Sequence, residues 1–127
     1  MKDEVKFALQ QYTNAIRKLD EGTSSAIDEL DKDGVIQRFE FTIELLWKML
    51  KLYLEDQGII CNTPKECLKA AFRIGLIDNE EAFLNMLQDR NKMSHLYSKE
   101  ESEEIYERIK TLYLPNLKKI PARIPTS

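Results

Sequence analysis

The segment from residue 35 to about 56, VIQRFEFTIELLWKMLKLYLED, contains neither proline nor glycine. Ile36, Phe39, Ile43, Leu46, Leu50 and Leu54 recur along it at spacings of three and four, which places them on one face of an α-helix. Trp47 and Tyr53 widen that stripe, so the helix is contacted on more than one side. A long helix with so broad an apolar surface must be covered by other helices, and Gly58 gives it a C-terminal stop.

The flanking sequence supplies the covering elements. Val5, Leu9, Tyr12, Ile16 and Leu19 form a single apolar stripe, interrupted from Gly22 to Ser25. Ala26, Ile27 and Leu30 suggest a short extension before a turn at 31–34. Thr63, Pro64 and Glu66 make a helix-start signal for a short helix carrying Cys67, Leu68, Ala71 and Phe72, with Gly75 at its end. Asp78 and Glu81 repeat the capping pattern before a helix with Ala82, Phe83, Met86, Leu87 and Arg90 on related faces. Ser98 with Glu101, or a cap one or two residues later, opens a last helix with Ile105, Ile109 and Leu112, which Pro115 disturbs or ends. The expected fold is all-α: an up-and-down antiparallel bundle of four long helices plus a short one, over residues 1–120, with an irregular tail at 121–127.

Charge narrows the function classes. The 127 residues carry 19 basic and 22 acidic side chains, a net charge of -3, which argues against a dedicated nucleic-acid surface, so any RNA contact must be local or shared with a partner. No stretch has the length of a membrane helix and the amino terminus has no apolar signal core, which points to the cytoplasm. Cys61 and Cys67 read as reduced thiols there, Cys67 the more buried, although their spacing is also compatible with a bridge. With one histidine elsewhere they make no zinc set, and the expectation is no metal and no cofactor.

That histidine, His95, lies in DRNKMSHLY, residues 89–97. Arg90 offers a planar fork for phosphate and His95 a proton donor or acceptor near neutral pH. On an ideal helix the two are about 140° apart, so they converge only if the helix ends between them or a second copy contributes. Asp89, Asn91 and Ser94 add short polar groups, and Tyr97 follows. The alternative is structural: His95 on helix-terminal carbonyls, and Arg90 paired with Glu81, Glu100 or Glu101. On the long helix Glu40, Glu44 and Lys48 form a polar ladder, ordinarily a solvated face with local ion pairs, while Arg38 or Glu40 could reach Arg90 and His95 in support.

IQRFEFTIELLWKMLKLYLEDQG, then TPKECLKAAFRIGLI and DRNKMSHLY, together resemble the nucleotidyltransferase substrate-binding proteins of the HEPN superfamily, from about Leu9 to Leu114. The resemblance implies a dimerising helical bundle whose motif maps to Arg90 and His95, extended by Tyr97, with Asn91 at the polar position after the arginine. It further implies a toxin–antitoxin pairing: a homodimeric, metal-independent endoribonuclease regulated by a minimal nucleotidyltransferase, in some pairs through AMP attached to the tyrosine. A non-catalytic nucleotide- or substrate-binding subunit is the other function the resemblance allows.

Overall fold

A computed structural model of the chain describes residues 1–92 and 98–125. Six helices follow in order: α1 Asp3–Ser25, α2 Glu29–Asp56, α3 Pro64–Arg73, α4 Glu80–Lys92, α5 Lys99–Arg108 and α6 Leu114–Arg123. A π turn, Ile109–Tyr113, joins α5 to α6, so the two make one continuous rod. No strand occurs among the described residues. The result is the expected all-α bundle, four long rods and the short α3.

Every residue of the α2 stripe is buried, and α2 is the hub: α1, α3, α4 and α5 all pack on it. Phe39 and Tyr113 stack inside the core with ring centroids 5.4 Å apart. Gly58 and Gly75 end α2 and α3 with φ of 81° and 85°, the left-handed conformation that favours glycine. Ser98 and Glu101 form the expected reciprocal capping box, and Thr63 caps α3.

Several boundaries differ from the sequence reading. α1 continues through Gly22 to Ser25, and residues 31–34 are helical. The Asp28 carboxylate accepts the Asp31 N–H (2.8 Å) while Asp31 accepts the Ile27 N–H (3.1 Å), so these aspartates start α2 and make no turn. Asn79, not Asp78, caps α4 by accepting the Ala82 N–H. Asp78 instead binds Arg123 at 2.8 Å and Lys119 at 3.6 Å.

Pro115 disturbs the last helix, as expected, without ending the rod, and α6 runs through Pro121 into the tail expected to be irregular. At Leu114 the N–H reaches the Ile109 carbonyl, a π-type bond that widens the backbone just before Pro115. Pro121 cannot donate to the Leu117 carbonyl, yet α6 runs through it to Arg123 because the buried Tyr12 hydroxyl donates to that same carbonyl at 2.8 Å. Helix therefore reaches past residue 120, into the expected irregular tail, and Ile124 is buried beyond it.

The cysteines are not reduced thiols. Cys61 and Cys67 are bridged, and both are buried. The chain folds back at the Thr63 cap, with Glu66 accepting the Asn62 N–H, and this brings the two Cα atoms to 5.2 Å.

Candidate functional site at the end of α4

The last turn of α4 contains Asp89, Arg90, Asn91 and Lys92. Successive helical residues point about 100° apart, so neighbours in the chain face different surroundings. Asp89 turns inward and is 4% exposed. Its carboxylate accepts Arg108 Nε at 2.9 Å and Nη2 at 3.0 Å, and the Tyr113 hydroxyl at 2.5 Å. Burial, then the hydrogen bond to Asp89, pushes the Tyr113 phenol far above its ordinary value, so it stays a donor. The hydrogen bond to Asp89 likewise raises Arg108, which remains cationic. Asp89 thus clamps α4 to the π turn, whose wider backbone carries Tyr113 between this carboxylate and Phe39.

Arg90 faces the other way, toward α2. Its Nη2 pairs with Glu44 Oε2, both side chains half-buried, and Lys48 lies 3.8 Å from the other Glu44 oxygen. Basic side chains in this turn also suit the partial negative charge at a helix C-terminus. The pair stands in a cleft of about 270 Å³ lined by Gln37, Glu40, Phe41, Glu44 and Arg90. Positions 37, 40, 41 and 44 share a face because helical spacing of three and four returns to the same side.

Glu40 lines the same cleft as Arg90, and Arg38 does not. One position from Gln37, Arg38 points to α1 and donates to the Lys18 carbonyl at 2.7 Å. Gly22 lies against this guanidinium: a Cβ there would stand 2.9 Å from Arg38 Nη1, which would have to shift to make room. Arg90 pairs with none of Glu81, Glu100 and Glu101 in the described contacts; its acid is Glu44, which the ladder reading treated as solvated. The ladder's Glu44–Lys48 pair is present. Ser94, His95 and Tyr97 lie outside the described residues. Among the described residues no group of His, Cys, Asp and Glu is arranged to hold a metal ion, and no helix is long and apolar enough to cross a membrane.

The model of the family described as nucleotidyltransferase substrate binding protein like matches residues 7–125. The chain belongs to this family. It is also 36% identical over 83 residues to the probable ribonuclease HepT of Haemophilus influenzae, a match covering 60% of this chain and 56% of that protein. The chain thus spans about half the length of that curated relative. A crystal structure of a Thermus thermophilus protein superposes with a TM-score of 0.81 at 28% identity, covering 88% of this chain and 97% of the other. The family match takes in α2, the α4 terminus and residues 93–97 in one span, so the Arg90 cleft and the sequence motif belong to the same family unit.

Proposed function

We propose that the chain is the ribonuclease-like member of a toxin–antitoxin pair, a homodimeric, metal-independent endoribonuclease restrained by a minimal nucleotidyltransferase. The observation that carries this reading is the placement of Arg90. The motif arginine is not consumed in the core, as Asp89 is, but stands at a cleft with Glu44 holding its guanidinium. The family match and the name of the Haemophilus relative support the assignment.

In this mechanism His95 takes the proton from a ribose 2′-hydroxyl, which attacks the adjacent phosphorus. Arg90 balances the charge that develops on the non-bridging oxygens. The bond to the 5′-oxygen breaks and that oxygen takes a proton, supplied by His95 of a second copy, leaving a 2′,3′-cyclic phosphate. AMP on Tyr97 would set an anion beside Arg90 and compete with RNA phosphate.

The test is cleavage of a mixed RNA pool in EDTA by wild type and by His95→Ala, with the oligomeric state of both measured. Activity in wild type that disappears from a still-dimeric variant is the expected result. Equal rates overturn the role of His95, and no cleavage by either protein moves the assignment to a non-catalytic subunit that binds a nucleotide or substrate for the transferase.

A further inference from the structure

The cleavage chemistry gives no task to Gln37, Glu40 or Phe41 in the lining of the Arg90 cleft, and Phe41 is the apolar one of the three. Phe41 is 57% exposed, although the α2 face behind it is buried. Other large apolar side chains are also exposed, among them Phe7, Ile27 and Ile60, but of these only Phe41 shares a cleft with Arg90 among the described residues. An aromatic ring held in water beside a half-buried guanidinium offers two unlike surfaces side by side, one flat and apolar, one cationic.

Charge sets the polarity of what fits. Glu40 and Glu44 repel a phosphate from most of the cleft, and Arg90 is its lining cation. The neutral face of Phe41 suits a nucleobase, since every base has a π-face that stacks on an aromatic ring. A volume of 270 Å³ lies just below the roughly 300–1,000 Å³ of drug-sized ligand pockets, which suits one nucleotide unit. Bases inside a duplex are already stacked and cannot reach the ring.

We infer that Phe41 is a stacking platform for one base of single-stranded RNA whose neighbouring phosphate lies on Arg90. The identity of the polymer rests on the nuclease reading of the same cleft. Gln37 and Glu40 then meet the base edge with acceptor oxygens, and the platform sets the register of the strand relative to the motif. Phe41 is in this sense a positioning residue, separate from the bond-breaking groups.

The experiment is fluorescence anisotropy of labelled, 2′-O-methylated hexaribonucleotides, which bind but lack the attacking hydroxyl. The proteins are the full chain as wild type, Phe41→Ala and Phe41→Trp, with the oligomeric state measured at the same concentrations. Wild type should bind, Phe41→Ala about tenfold more weakly, and Phe41→Trp at least as tightly as wild type, all three in one oligomeric state. The proposal is overturned if wild type does not bind, if Phe41→Ala matches wild type, or if Phe41→Trp fails like alanine. It is also overturned if Phe41→Ala loses affinity only by dissociating, which makes the ring an interface between copies. Binding with this Phe41 dependence but no cleavage of unblocked RNA sinks the nuclease reading and leaves the platform standing; cleavage without the dependence does the reverse.

Discussion

Replacing Asp89 tests whether it belongs to the cleft or to the core. In Asp89→Ala the Tyr113 hydroxyl, fully buried, loses its acceptor, at a cost of about 1–3 kcal/mol for an unsatisfied buried group. Arg108 loses a bidentate partner, but its side chain is 38% exposed, so water takes over and the added cost is no more than about 1 kcal/mol. The total is about 1–4 kcal/mol. Asp89→Asn keeps an acceptor for Tyr113 while losing the charge toward Arg108, and should cost about half as much. Tyr113→Phe removes the donor and should cost about 1–2 kcal/mol; combined with Asp89→Ala it adds less than its own single effect, because the orphaned hydroxyl is gone. Urea unfolding at constant slope measures all four proteins. A midpoint unchanged in Asp89→Ala would refute the buried clamp. An Asp89→Asn protein with wild-type stability but without RNA cleavage would put Asp89 in the chemistry instead.

Two further outcomes follow from the α6 end of the rod. Arg123, and Lys119 behind it, hold the Asp78 carboxyl below its ordinary value of 3.8, so the folded state prefers the ionised form. That stability is fully present above about pH 4 and lost as pH falls through the lowered value, so wild type should show a steeper acid limb than Asp78→Asn; superimposable limbs would refute the coupling. Tyr12→Phe should cost about 1–3 kcal/mol by leaving the buried Leu117 carbonyl without a donor, and clearly less in a Pro121→Ala background, where the new alanine restores the backbone N–H that bonds it. No coupling between the two changes in urea unfolding would show that Tyr12 does not compensate for Pro121.

The parts of this fold legible in the sequence are those dictated by local periodicity. The α2 stripe, the two glycine stops and the Thr63 and Ser98 caps depend on spacings within one or two turns, and each is where the pattern put it. Much of what escaped depends on partners distant in the chain, although the α2 start at Asp28 and Asp31 and the Cys61–Cys67 bridge are local. The helix through Pro121 was hidden, and 121–127 read as an irregular tail, because the relief for Pro121, the Tyr12 hydroxyl, comes from α1. Asp78 resembled a cap because nothing local revealed Arg123. In the site, Arg90 was identifiable as a phosphate-type residue, but its pairing with Glu44 crosses 46 positions. The spacing of Glu40, Glu44 and Lys48 placed those three on one face; it could not say that α4 lies beside that face and α1 beside Arg38. Asp89 carried no sign of burial, since a helical carboxylate next to arginine usually faces water.

Asp89 and Arg90 fix the last turn of α4 from two sides, one through α5 and the π turn, the other through α2, immediately before residues 93–97. Glu44 occupies Arg90 with a carboxylate, so a phosphodiester arriving there exchanges one singly charged oxyanion for another. Electrostatics alone gives such an exchange little net advantage, because both anions can offer the guanidinium two oxygens. Lys48, beside the far Glu44 oxygen, stabilises the carboxylate once it is displaced. The net affinity must then come from a contact that Glu44 does not make. Within the cleft, Phe41 supplies an apolar face of that kind, and stacking of about 1–3 kcal/mol per base is enough to tip a balanced exchange toward RNA. A free phosphate ion has no base and gains nothing from the ring. On the proposed function, the same cleft would hold Arg90 in place when empty and discriminate a nucleotide from a simple anion when filled.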